Sequence, residues 1–135
     1  PILGVGPGMF NSYSRDYGKK GGFRALEGTR EAHNLYLEIA SEQGVLGLFA
    51  FLAAVTVSLR CLARARRAAS ERPEMAAMAV GFILALAGYL ATGLFLHFSY
   101  VRYFWLMIAL ADAAAWIILR SASADSRPAV AATGC

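Results

Sequence analysis

Two uncharged runs decide what this chain can fold into: Gln43 to Leu59, 17 residues, and Met75 to Val101, 27 residues. A helix on the surface of a water-soluble domain keeps a polar face, and runs of this length without Asp, Glu, Lys or Arg supply none. Roughly 20 such residues in a helix cross the hydrocarbon core of a bilayer. A third run, Tyr103 to Leu119, is interrupted only by Asp112. Composition agrees: 58% of residues are hydrophobic and 16% charged, against about 45–50% and about 25% in soluble domains. Disorder, collagen and a compact disulfide scaffold are excluded. The expected fold is all-α and integral to a membrane, with three transmembrane helices near residues 44–60, 76–96 and 103–119.

The chain opens on Pro1, and no basic stretch followed by an apolar one marks a signal peptide. Three spans leave no second core to build, so the chain reads as the C-terminal part of something longer, a fragment of a larger helical bundle with partner helices outside it. Residues 1–30 carry Gly4, Gly6, Gly8, Gly18, Gly21, Gly22 and Gly28 among charges of both signs, the composition of an irregular loop on the membrane surface. Thr29 can cap a helix with Glu31 in its first turn, and Leu35, Ile39 and Leu46 recur opposite Asn34, Glu38 and Gln43. That spacing predicts an amphipathic interfacial helix over about 31–43. Gly44 and Gly47 mark either a bend where this helix meets the first span or close contacts with a neighbouring helix. The expected organisation is a surface segment at 1–43, the three-span region at 44–119, and a disordered tail at 120–135.

Orientation follows from the basic residues. Arg60, Arg64, Arg66, Arg67 and Arg72 lie between the first two spans, with Pro73 opening the next helix. Such a cluster against two span ends reads as a cytoplasmic loop rather than a nucleic-acid patch. Segment 1–43 and the turn near Leu96 to Arg102 then face the other side, and the tail with Arg120 and Arg127 returns to the cytoplasm. The first segment also holds five basic residues, Arg15, Lys19, Lys20, Arg24 and Arg30, but Arg30 is more than ten residues from the apolar run.

Ala77, Gly81, Ala85, Gly88 and Thr92 share one face of the second span, where another backbone can approach closely. Tyr100, Tyr103, Phe104 and Trp105 are expected to form an aromatic belt at the outer interface, with Trp116 at the inner one. Asp112 would cost about 2.5–3.5 kcal/mol at a bilayer centre and is expected to face protein or a water-filled cavity. Cys61 and Cys135 form no metal or disulfide pattern.

Few residues offer chemistry. Gly4-Val5-Gly6-Pro7-Gly8 has glycines that let backbone N–H groups converge on an anion, yet it fits neither nucleotide fingerprint and reads on its own as a tight turn. His33 falls near the membrane surface beside Arg30, where it can titrate near neutrality. Taken alone, a histidine at a helix start is more often solvated than a base; His97 and Arg102, on the same side, read as interfacial anchors.

The order of the pieces is more specific than any one of them: Gly4-Val5-Gly6-Pro7-Gly8-Met9-Phe10, a basic glycine-rich loop, His33-Asn34-Leu35-Tyr36-Leu37-Glu38, Glu42-Gln43-Gly44-Val45-Leu46-Gly47, then a span. This series resembles the O-antigen ligase and polymerase family, well over residues 1 to about 59 and only generally beyond. The resemblance implies a multi-pass glycosyltransferase of the bacterial inner membrane, with segment 1–43 periplasmic. Its donor would be a polyprenyl-diphosphate-linked glycan and its acceptor a glycolipid, polysaccharide or protein hydroxyl, without metal, cofactor or nucleic acid. By the same resemblance His33 matches the base that deprotonates the acceptor, and Arg30, Gly6, Gly8 and Asn34 are the local candidates for substrate binding. The family's principal arginines usually precede the glycine run, so the active site is expected to be incomplete in this piece. The competing expectation is a non-catalytic transmembrane packing module of a transporter or scaffold, for which Asp112 and the small-residue face are the key features.

Overall fold

The computed structural model describes residues 2–10, 12, 13, 16, 20, 21, 34–95 and 101–125. Its principal helices are α1 at Leu35–Glu42, α2 at Gly44–Ala68, α3 at Pro73–Thr92 and α4 at Val101–Asp125, and no strand occurs among the described residues. Three stretches, Gly44–Ala68, Pro73–Thr92 and Tyr103–Ala124, are long and apolar enough to cross a membrane. Among the described residues the fold is all-helical, and these three stretches mark a membrane protein.

The first and third spans extend further than the apolar cores that announce them, whereas the second ends at Thr92, four residues short of the expected 96, where Gly93 opens a turn. α2 continues through Arg60, Arg64, Arg66 and Arg67, all exposed, to Ala68. Arginine is a good helix former and its charge suits the negative end of the helix dipole, so propensity carries the helix on after hydrophobicity stops. At 25 residues, α2 is about 37 Å long against a hydrocarbon core of about 30 Å. α3 begins at Pro73, whose fixed φ and missing N–H suit a first turn. α4 continues past Arg120 to Asp125, with the Arg120 guanidinium 4.2 Å from the centre of the Trp116 ring. Residues 126–135, the rest of the expected disordered tail, lie outside the described residues.

Packing divides the chain into two compact units, Pro1–Val55 with Gly88–Arg102, and Thr56–Ala87 with Tyr103–Cys135. In the first, Leu35 and Ile39, one turn apart on α1, are buried together with Phe51 and Val55 of α2. The Tyr36 ring meets Phe51 edge-on with centroids 6.3 Å apart.

In the second unit, the buried positions of α2 are Ser58, Leu62 and Ala65, and those of α4 are Phe104, Ile108, Ala111, Ala114, Ala115 and Ile118. Steps of three and four put each set on one helical face, with Ala114 beside Ala115 widening that of α4, and the alanines let backbones come close. Phe104 therefore does not join the aromatic belt: it is 1% exposed, because it stands in register with the inward face, while Tyr103 and Trp105 face outward. Tyr100 lies outside the described residues. The small-residue face of α3 also turns outward. Ala77, Gly81, Ala85, Gly88 and Thr92 are exposed, and α3 buries Ala79 and Leu86 instead.

Ser58 explains part of Asp112. The serine is buried on α2, and its hydroxyl donates to Asp112 Oδ2 at 3.0 Å. Asp112 itself remains exposed, so it faces protein through one oxygen only.

Candidate functional site at the two ends of the short helix

α1 starts at Leu35, four residues later than expected, because Asn34 rather than Thr29 is its N-cap. Asn34 is extended (φ −159°, ψ 113°), and its Oδ1 accepts from the N–H groups of Tyr36 at 3.0 Å and Leu37 at 3.1 Å. These are two of the orphan donors every helix start must satisfy. The other end of the amide, Nδ2, donates to the Leu94 carbonyl at 3.3 Å.

Three contacts therefore hold the start of α1 against the end of α3. Besides the Asn34 amide, the Leu35 N–H donates to the Gly93 carbonyl at 2.8 Å, and the Tyr36 hydroxyl donates to the Leu90 carbonyl at 3.0 Å. Gly93 belongs there for space: a Cβ on it would come within 3.1 Å of the Leu35 side chain. Burial pushes the Tyr36 phenol above its ordinary pKa of 10.0, since the pocket disfavours the charged phenolate. Glu38, two residues on, interacts electrostatically with Tyr89 of α3.

The glycine run closes the other end of α1. The Val5 N–H donates to Ser41 O and the Gly6 N–H to Glu42 O, both at 2.9 Å, and the Phe10 N–H reaches Glu42 Oε1 at 3.4 Å. The run thus satisfies carbonyls that the helix end leaves without partners. Gly4, Gly6 and Gly8 all have positive φ (71°, 104° and 74°), as does Gly44 (73°). Gly44 is the bend between α1 and α2, which decides between the two readings of that glycine, and its backbone lies directly against Ile2 and Gly4. Gly47 lies inside α2, where a Cβ would run into the Gln43 side chain.

Of the expected site residues, Gly6, Gly8 and Asn34 are thus brought to the two ends of one helix. Gly6 spends its N–H on Glu42 and Asn34 spends its side chain on the cap and Leu94, so neither presents those groups to an anion. Gly8 stands open, with nothing within 4 Å of the place a Cβ would take. His33 and Arg30 lie outside the described residues, as does His97. Sequence reasoning missed Tyr36, Glu42 and Gly93 as members of this cluster. An Asn immediately before Leu-Tyr-Leu-Glu was the available sign of the true helix start. Among the described residues no three His, Cys, Asp or Glu side chains stand together to hold a metal ion. No family model, curated protein or solved structure matches the chain.

Proposed function

We propose that this chain belongs to an O-antigen ligase-like or polymerase-like glycosyltransferase, which moves a glycan from a polyprenyl diphosphate to an acceptor hydroxyl at the periplasmic face of the bacterial inner membrane. The observation that carries the reading is convergence: the segments Gly4–Phe10, Asn34–Glu38 and Glu42–Gly47, which give the sequence its resemblance, are joined around one short helix. Asn34–Glu38 and Glu42–Gly47 adjoin one another in the chain, so the contact that supports the reading is the one made by Gly4–Phe10, distant in sequence, to Ser41 and Glu42.

In this reading α1 lies at the outer interface and residues 1–43 are periplasmic. The arginines at the far end of α2 stay in the cytoplasm, in keeping with the positive-inside rule. His33 directly precedes the Asn34 cap in the chain and takes the proton of the attacking sugar hydroxyl. The carbon–oxygen bond to the diphosphate breaks as the new glycosidic bond forms, and the leaving diphosphate requires cations, of which Arg30 is one and upstream arginines supply the rest. Asn34 changes role. It is a positioning residue whose amide fixes the start of α1 rather than a direct ligand of the substrate. The alternative, a packing module without catalysis, draws on the contact between Ser58 and Asp112.

The test is glycan transfer from a polyprenyl-diphosphate donor by the full-length protein in membranes. His33→Ala should lower the rate by about 10² to 10⁴, the usual worth of a positioned base, with protein level and insertion unchanged. His97→Ala should be much milder. Near-normal transfer by His33→Ala removes the base, and equal loss in both variants points to damaged packing of the outer surface instead.

A further inference from the structure

Toward its carboxyl end α2 keeps its packed positions on one face and three of its arginines on the opposite one. Ser58, Leu62 and Ala65 are buried, and Arg60, Arg64 and Arg67 follow the same steps of four and three, displaced by two residues. Each set covers about 60° of the helix surface, and the two lie about 160° apart. All three arginines are exposed, and α2 holds no Asp or Glu to pair with them. Depth says what lies against this stripe. The uncharged run Gln43 to Leu59 has 17 residues, about 25 Å of helix against a hydrocarbon core of about 30 Å. Charge closes the run at both ends, Glu42 on one side and Arg60 on the other. The run therefore has no slack, and Arg60 stands where hydrocarbon gives way to headgroups. Arg64 and Arg67 follow within about 11 Å along the axis. Long stems gather such charged heads into the polar layer.

We infer that the stripe of Arg60, Arg64 and Arg67 binds the phosphate groups of anionic phospholipids in the leaflet at that end of α2. A guanidinium presents its N–H groups as a planar fork that matches two phosphate oxygens. A zwitterionic headgroup carries an ammonium group beside the same phosphate, so a headgroup of net negative charge is the better partner for three cations. Arg60, at the edge of the hydrocarbon, lies too deep for nucleic acid or a soluble acidic protein to reach. The inference holds whichever side of the membrane this end faces, and so it does not depend on the proposed transferase activity.

Spin-labelled lipids test it, with the full chain in phosphatidylcholine vesicles. The fraction of label immobilised at the protein gives the affinity of phosphatidylglycerol relative to phosphatidylcholine, in either direction of insertion. Phosphatidylglycerol should be favoured about tenfold at low salt and much less at about 1 M salt. Replacing all three arginines by glutamine, also a good helix former, should abolish the preference with helix content unchanged by circular dichroism. Arg64→Gln alone should lower it about twofold, its share of the three. Arg66→Gln removes the same charge from beside the stripe and should leave the preference almost whole. Inorganic phosphate at matched ionic strength should not displace the lipid. In native membranes, a photocrosslinker replacing Val57, 57% exposed on the same side of α2, should join lipid. Five results overturn the inference: equal affinity for the two lipids, a preference that survives the triple replacement, equal losses with Arg66→Gln and Arg64→Gln, displacement by inorganic phosphate, or a crosslink at position 57 to protein only.

Discussion

Replacing Gly44 by alanine is the sharpest test of how the short helix is held. Its φ of 73° lies in the left-handed region, where an L side chain costs about 1–2 kcal/mol. The new Cβ would also run into the Ile2 carbonyl and the Gly4 nitrogen, which are backbone and cannot swing aside. The Ile2–Gly4 segment must then lift away and strain the bonds from Val5 to Ser41 and from Gly6 to Glu42, each worth about 0.5–1.5 kcal/mol net. Together these give a local destabilisation of about 2–5 kcal/mol. Hydrogen exchange of the solubilised protein reads it directly: the Val5 and Gly6 amides should exchange on the order of a hundredfold faster or more, at about 1.4 kcal/mol per tenfold. Gly8→Ala is the control, since its φ of 74° carries the same conformational cost but its Cβ meets nothing, so the effect should stay near 1–2 kcal/mol. Gly81→Ala, on an open face within α3, should be neutral or stabilising by up to about 1 kcal/mol. If Gly44→Ala leaves the Val5 and Gly6 amides as protected as before, the glycine run is not bound to α1 as argued.

Three further outcomes are expected, two from the same geometry and the last under the proposed transferase reading. Asn34→Ala should cost about 1 kcal/mol through the lost cap, with Asn34→Asp or Asn34→Ser recovering most of it, as read by exchange at Tyr36 and Leu37. Tyr36→Phe should cost about 1 kcal/mol by removing the bond to Leu90. Because the folded phenol has the higher pKa, the stability it contributes is full below pH 10.0 and is lost as pH rises through the folded value. A high-pH phenolate absorbance step in the wild type that Tyr36→Phe lacks would check this. Arg30→Lys in the full-length protein should weaken donor binding at unchanged charge, because the planar fork is lost; a donor KM equal to wild type would remove Arg30 from the site.

The three long helices were legible because an uncharged run of that length has few physical alternatives. What was not legible was rotation. Periodicity groups Ala77, Gly81, Ala85, Gly88 and Thr92 on one face of α3, yet it does not say whether that face or the one through Ala79 and Leu86 turns inward. Phe104 looks like an interfacial aromatic from composition, and only its register with Ile108, Ala111 and Ala115 shows it to be core. The helix start was misplaced for a related reason. Thr29 and Asn34 are both good caps, and the choice is made by partners sixty residues away in sequence, the Gly93 and Leu94 carbonyls.

The cluster of motifs gives the glycines a different part from the one their spacing suggests. An anion-cradling loop keeps its N–H groups free and aimed at one point, whereas here Val5 and Gly6 donate to the last carbonyls of α1. Asn34 likewise turns its oxygen inward to the N–H groups of Tyr36 and Leu37. Under the proposed transferase reading, recognition of the diphosphate then falls to cationic side chains, and the motif residues serve to hold an eight-residue helix at both ends. A helix that short is unstable alone, since its nucleation cost is spread over too few bonds. Its carboxyl end is fixed by the glycine run and its amino end by Asn34, Leu35 and Tyr36 on the end of α3. Under the same proposed reading, the base is the residue that directly precedes this cap in the chain, His33.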